Sequence, residues 1–291
     1  MTATRTGFAV SSDGTRIRYQ QLGTGPGVVL LHGAMQTSAN QSQLAQALAD
    51  AFTVTVPDRR GRGESGPYGD DYRIQREVED VAAVLTETGA HNIYGVSAGG
   101  LIALQAALTL PAITSVAVYE PALLMEGSAR QTTWLSRFDR EMAEGRVAAA
   151  LITSMKGLQL APPILNVIPR RLLESLTAAL MNSEEKKAKP GDATMRMLAP
   201  TLHYEGLLLA EMMGKLNTFR ALRARVLLLG GSKGLPYLKP SLDALERVLP
   251  QVERVEFPGL DHGGSSDVTE ANKGGKPELV AARLRRFFAA P

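Results

Sequence analysis

The chain has 291 residues, 44% of them hydrophobic, with no cysteine and with 32 basic against 29 acidic side chains. The missing cysteine excludes disulfides, thiolate metal sites and cysteine nucleophiles together, and a net charge of +3 is a near-balance that argues against a nucleic-acid partner. No stretch reaches the ~18 apolar residues of a membrane span, and no apolar segment follows Met1-Thr2-Ala3-Thr4-Arg5, so a cytoplasmic protein without a membrane partner is the expectation.

In chain order, strands are predicted near Phe8 to Val10, Arg16 to Gln20, Val28 to Leu31, Phe52 to Val56, Asn92 to Tyr94, Ser115 to Tyr119, Arg225 to Leu229 and Val252 to Phe257. Helical spacing of apolar residues predicts helices over Ser38 to Ala51, Arg73 to Thr88, Leu101 to Leu110, Leu238 to Leu249 and Pro277 to Phe288. Strands alternating with helices define an α/β protein with a mostly parallel sheet. Between Pro121 and about Leu222 the alternation stops and the sequence turns helical throughout, with breaks at Pro162-Pro163, Pro169, Pro190-Gly191 and Pro200. The charged run Glu184 to Gly191 reads as a solvated helix end or a mobile loop able to gate access. Met142, Met155, Met181, Met195, Met197, Met212 and Met213 of this block read mainly as helix packing, with an adaptable apolar pocket as the alternative.

Three stretches carry chemistry. Gly95-Val96-Ser97-Ala98-Gly99-Gly100 lies between a strand and a helix. A serine on such a sharp turn presents its hydroxyl at the edge of the sheet, and glycine is needed on either side because a side chain would collide with neighbouring backbone. Upstream, the buried strand Gly27 to Leu31 runs into His32-Gly33-Ala34-Met35. In an acyl-transfer reading, the backbone N–H groups of Ala98 and Ala34 converge on the oxygen that becomes negative in the tetrahedral intermediate, while the His32 side chain is structural. Pro57-Asp58-Arg59-Arg60-Gly61-Arg62-Gly63-Glu64-Ser65 follows the strand predicted over Phe52 to Val56. Without interleaved aromatics it reads as a turn rather than a phosphate or nucleic-acid site.

Together with Gly259-Leu260-Asp261-His262-Gly263, these motifs resemble the α/β-hydrolase family in order and separation, over nearly the whole chain. The resemblance implies a sheet of about eight strands flanked by helices, a core formed by residues 1–121 and 223–291, and an all-helical cap inserted over 122–222. It implies Ser97 as nucleophile and His262 as general base. The family usually places its acid after the seventh strand, but here that loop reads Gly230-Gly231-Ser232-Lys233-Gly234-Leu235-Pro236 and holds no carboxylate. Glu120, directly after the sixth strand, occupies the family's alternative acid position and keeps the order Ser, acid, His. Asp261 and then Asp58 are the next candidates. A serine at the elbow also argues against the epoxide-hydrolase and dehalogenase branches, which use aspartate.

The expectation is therefore a serine hydrolase cleaving a carboxylic ester, lactone or thioester of a small apolar molecule through an acyl-enzyme, with no metal or organic cofactor required. Non-hydrolytic use of the same pocket, such as acyl transfer, cyclisation, perhydrolysis or C–C bond cleavage, and ligand binding without catalysis are the alternatives. His91 and His203 read as structural histidines, and Trp134 as a packing residue or a substrate contact. Substrate identity and oligomeric state are not legible.

Overall fold

A computed structural model describes residues 4–127, 133–160 and 167–290 of the chain; the predicted break at Pro162-Pro163 lies outside them. Eight strands form one sheet: β1 (Arg5–Val10), β2 (Arg16–Leu22), β3 (Gly27–Leu31), β4 (Thr53–Pro57), β5 (Asn92–Val96), β6 (Ser115–Tyr119), β7 (Arg225–Gly231) and β8 (Val252–Phe257). Their spatial order is β1-β2-β4-β3-β5-β6-β7-β8. β1 pairs antiparallel with β2 and β2 with β4, and every other pairing is parallel.

The central strands are buried along their length because both faces are covered. Val29, Leu31, Ile93, Val116, Val118, Val226 and Leu228 point to one face, where they meet α2 (Ile74–Thr88), α3 (Ala98–Thr109) and α9 (Lys239–Val248). Val28, Leu30, Tyr94, Val96, Ala117, Tyr119, Leu227 and Leu229 point to the other and meet α1 (Ser42–Leu48) and α10 (Pro277–Ala289). This period-two partition of an uninterrupted apolar run is what a doubly covered parallel sheet requires. The edge strand β8 instead leaves Glu253 and Glu256 exposed, and charged side chains on an edge discourage pairing with another chain.

Two helix starts differ from the sequence expectation by three residues or more. The helix expected from Ser38 begins as a 3-10 turn, Ser38–Gln41, and becomes α-helical only at Ser42. The Asn40 side chain accepts from the Thr37 N–H at 2.9 Å, fixing a tight first turn, and Gln41 has non-helical torsions. The helix expected from Leu101 starts at Ala98, immediately after Ser97. Gly99 and Gly100 are poor helix formers by propensity, but a Cβ on Gly99 would sit 2.5 Å from the Leu31 and His32 carbonyl oxygens, so close packing on β3 decides their presence.

The chain steps from β3 out to β4 and then back across β3 to β5. Loops leaving β3 and β5 therefore diverge at the carboxyl edge, and open parallel sheets form their ligand crevices at such a switch point. Between β6 and β7 lie α4 (Leu135–Ala143), α5 (Val147–Gly157), α6 (Arg170–Lys187), α7 (Met195–Leu198), α8 (Thr201–Met212) and a 3-10 turn, Lys215–Ala221. Of the charged run Glu184 to Gly191, the first four residues end α6 and the rest form the turn after it. Glu184 accepts from the Met195 N–H at 2.8 Å, and Glu185 pairs with Arg196 at 2.7 Å, tying this end to α7. Among the described residues no helix is long and apolar enough to cross a membrane.

Candidate active site

Ser97 sits between β5 and α3 with φ 55° and ψ −119°. Its N–H donates to the Tyr119 carbonyl at 3.0 Å, and its carbonyl accepts from Leu101 and Ala122. Those bonds to α3 and to the chain beyond β6 hold a backbone conformation that L-residues rarely adopt. A Cβ on Gly95 would lie 2.2 Å from the Gly99 oxygen, so glycine at both positions lets the strand turn into the helix.

The other members of the site come from neighbouring strand ends. Glu120 directly follows β6, is 1% exposed and also has positive φ, 43°. Its Oε1 accepts from the Gly231 N–H at 3.0 Å, and its Oε2 accepts from His262 Nδ1 at 2.7 Å. A carboxylate only accepts, so His262 carries its proton on Nδ1 in this bond, which leaves Nε2 as the nitrogen available to accept. The loop after β7 contributes space instead of an acid: a Cβ on Gly234 would fall 1.8 Å from Glu120 Oε1. The glycines at 230, 231 and 234 thus mark the pocket into which the Glu120 carboxylate folds.

Neither alternative acid reaches His262. The Asp261 side chain accepts from the Gly263 N–H at 2.9 Å, and its carbonyl accepts from the Tyr119 hydroxyl at 2.7 Å. Asp58 accepts from the Ser38 N–H at 2.8 Å and pairs with Arg18 at 3.2 Å. Burial first and the Glu120 charge second push the Tyr119 phenol far above its usual range, so its hydroxyl stays a donor and fixes the backbone of the loop that carries His262.

Ser97, Ala98, Ala34 and His262 line one cavity of about 170 Å³ together with Met35, Tyr237 and the apolar side chains of Leu158, Leu160, Leu202 and Leu209. Neither the Ala34 nor the Ala98 N–H has an acceptor within the protein among the described residues, as expected for a loop residue and the first residue of a helix. Gly33 brings the two together, since a Cβ there would lie 3.2 Å from Ser97 Cβ. Gln36 Oε1 accepts from the Gly33 N–H at 2.8 Å and braces the loop. Among the described residues the non-glycine positions with positive φ are Met35, Ser97, Glu120 and Gln159. Two line the cavity, Glu120 holds His262, and Gln159 separates the lining residues Leu158 and Leu160, so backbone strain concentrates at this one place.

His32 is fully buried, next in sequence to the lining residue Gly33. Its Nε2 accepts from the Arg59 N–H at 3.2 Å and its Nδ1 donates to the Gly33 carbonyl at 2.9 Å. Burial, then the Arg62 and Arg59 charges, hold its pKa well below the usual histidine value, and it stays neutral. His91 bonds the Ala112 carbonyl at 2.9 Å and His203 pairs with Asp139 at 2.8 Å. Trp134 is buried edge-on against Phe138, over Gly157. None of these four, and none of the seven methionines singled out after Pro121, lines the cavity; the methionine that does is Met35.

The arginine-rich stretch after β4 is more than the turn expected from sequence. Arg59 pairs with Glu77 at 2.7 Å and with Glu205 at 2.9 Å, Arg62 pairs with Glu205, and Arg60 pairs with Asp80 at 2.7 Å and with Asp13 at 3.0 Å. Arg59, Arg60 and Arg62 are each at most 3% exposed. Tyr68 stacks on Tyr204 at 3.6 Å beside them. This buried cluster joins the core to α8, and Glu205 also lines the cavity. Sequence reading missed it because Arg59 and Glu205 are 146 positions apart; the available signal was the density of arginine in a chain of nearly balanced charge. Among the described residues no group of three or more His, Asp or Glu side chains is arranged to hold a metal ion.

Fold, strand-end placement and sequence profile agree: residues 28–281 match the Alpha/beta hydrolase family, and the chain belongs to it. It is a hydrolase of that family, similar to several described proteins. An alpha/beta hydrolase from Sphaerobacter thermophilus superposes with a TM-score of 0.77 at 30% identity, covering 97% of this chain and 100% of that one. A pimeloyl-[acyl-carrier protein] methyl ester esterase of Stenotrophomonas maltophilia is 28% identical over 276 residues, 92% of this chain and 95% of its own. An uncharacterized hydrolase, YraK, of Bacillus subtilis is 27% identical over 260 residues, 86% and 87% of the two chains.

Proposed function

We propose that the protein is a serine esterase that cleaves a carboxylic ester, lactone or thioester of a small, mainly apolar molecule through an acyl-enzyme on Ser97. The observation that carries this reading is the 2.7 Å bond between Glu120 and His262 Nδ1, with His262 and Ser97 lining one apolar cavity. Similarity to a methyl ester esterase supports the choice of an ester carbonyl.

His262 Nε2 takes the Ser97 proton as the hydroxyl oxygen attacks the carbonyl carbon, and Glu120 holds the imidazole tautomer and stabilises the imidazolium that forms. The Ala34 and Ala98 N–H groups donate to the oxyanion of the tetrahedral intermediate. His262 returns the proton to the departing alkoxide or thiolate, then activates a water that attacks the acyl carbon and releases Ser97. In this reading residues 122–222 act as a cap on the core of 1–121 and 223–291, and Leu158, Leu160, Leu202 and Leu209 exclude water from the acyl group. A cavity of about 170 Å³, below the ~300–1,000 Å³ of drug-sized pockets, suits short acyl or alcohol groups.

The test is steady-state hydrolysis of p-nitrophenyl acetate, butyrate and octanoate together with γ- and δ-lactones. Turnover is expected to favour the shorter esters and to disappear in Ser97→Ala. An inactive wild type, or a Ser97→Ala variant as active as the parent, refutes the proposal.

A further inference from the structure

The polar side chains in the cavity wall are those of Gln36, Ser97, Glu205, Tyr237 and His262. Ser97 and His262 are already assigned to the chemistry. Gln36 is engaged with the protein itself, accepting from the Gly33 N–H at 2.8 Å and donating to Ser266 Oγ at 2.9 Å. Glu205 belongs to the buried ion pair, its Oε1 on Arg59 and Arg62 and its Oε2 sealed from solvent. That leaves Tyr237, whose hydroxyl makes no hydrogen bond among the described residues and, unlike Glu205 Oε2, is not sealed. Its position is well fixed. Tyr237 is the third residue of the turn Leu235-Pro236-Tyr237-Leu238, in which the Leu238 N–H donates to the Leu235 carbonyl at 3.0 Å and proline at the second position sets the torsion. Leu238 is buried, α9 begins at the next residue, and the Tyr237 ring packs on the same apolar core as the lining residues Ala34 and Met35. Burial first and the Glu120 charge second push the Tyr237 phenol above its usual range, so the hydroxyl keeps its proton and remains a donor.

We infer that Tyr237 is a specificity-determining residue whose hydroxyl donates a hydrogen bond to a substrate oxygen other than the carbonyl under attack, so that the preferred substrate is a small ester or lactone with one further ether or keto oxygen. The inference rests on the esterase reading of the same cavity. In the open cavity the hydroxyl faces water. When a substrate fills the space among Leu158, Leu160, Leu202 and Leu209, a hydrocarbon chain displaces that water and leaves the hydroxyl unpaired, whereas an oxygen at the same place restores the bond. A wall group left without its partner is what lets a site reject a close analogue more strongly than a missing methylene does. The leucines elsewhere in the wall disfavour a second polar group.

The probes are esters paired by exchanging one methylene for oxygen: methyl 3-methoxypropanoate with methyl pentanoate on the acyl side, and 2-methoxyethyl acetate with butyl acetate on the alcohol side, with kcat/KM read from acid release. An ether oxygen only accepts, so it reports a donor in the wall. It also activates the ester through its inductive effect, but equally for every variant, and the readout is therefore the oxygen-to-methylene ratio compared between wild type and Tyr237→Phe, which lacks only the hydroxyl. For at least one pair that ratio is expected to fall by about fivefold or more in Tyr237→Phe. Tyr237→Leu reads the same ratio if the phenylalanine variant does not fold. A hydroxyl that merely supports the turn, or that acts on the ester group common to all four probes, would lower the four rates together and leave both ratios where they were; that result overturns the inference and leaves the esterase reading standing. A wild type that cleaves none of the four, with Ser97 unlabelled by a fluorophosphonate, removes both.

Discussion

Glu120 is held from two sides, by the Gly231 N–H at 3.0 Å and by His262 Nδ1 at 2.7 Å, so replacing it changes the electrostatics of the histidine more than the shape of the site. Glu120→Gln is expected to keep the fold and lower kcat by roughly 10²–10⁴-fold, through loss of tautomer control and of imidazolium stabilisation; near-normal kcat would take the acid role from this residue. His32 gives a second prediction at this scale. Its pKa in the folded protein lies well below the ordinary value of 6.5, while the unfolded chain titrates at that value. Below about pH 6.5 the unfolded state therefore binds a proton that the folded state refuses, and stability falls as pH drops, by at most ~1.4 kcal/mol per pH unit for one such group. Melting temperatures measured between pH 7.5 and 5 should decline less steeply for His32→Gln than for wild type; parallel curves would contradict the assignment.

At the scale of elements, the site is an encounter of strand ends that sequence separates widely, and the turn that makes room for the Glu120 carboxylate matters as much as Glu120 itself. Gly234→Ala would place a methyl 1.8 Å from Glu120 Oε1. It is expected to displace the carboxylate and lower kcat at least tenfold with KM little changed, and crystallography or the kinetic split would show it. A fully active alanine variant would mean that the loop shifts at no cost. Much of this arrangement was legible in advance. Ser97 announced itself through flanking glycines that only close backbone approach demands, His262 through its place after the last strand, and Glu120 because the loop after β7 has no carboxylate. The start of α3 was not legible, because glycine propensity opposes the packing that wins at Gly99 and Gly100. Nor was the cavity-facing side of α8, whose run Thr201–Met212 is buried at residues on several faces and shows no single apolar stripe to read.

Across the whole molecule, the arginines following β4 bind α2 and α8 to the sheet through buried ion pairs, so the helical insertion and the core share charged groups as well as apolar contact. Removing one partner strands the others: Arg59→Met leaves Glu77 without its arginine and Glu205 with only Arg62. Such a change is expected to cost about 3–5 kcal/mol and, at roughly 2–4 °C per kcal/mol for chains of somewhat smaller size, to lower Tm visibly by circular dichroism. An unchanged Tm would mean that the cluster relaxes or takes up water. The strands and the helices between them were readable from the spacing of apolar residues, whereas this cluster depends on which distant charges meet, and no local pattern records that.

Activation of Ser97 by the His262–Glu120 pair is what the proposed esterase activity requires above all. Intact mass after exposure to a fluorophosphonate, compared between wild type and Ser97→Ala, tests this most directly. One adduct per chain on wild type and none on the variant is the predicted result. An adduct on both proteins, or on neither, would contradict it.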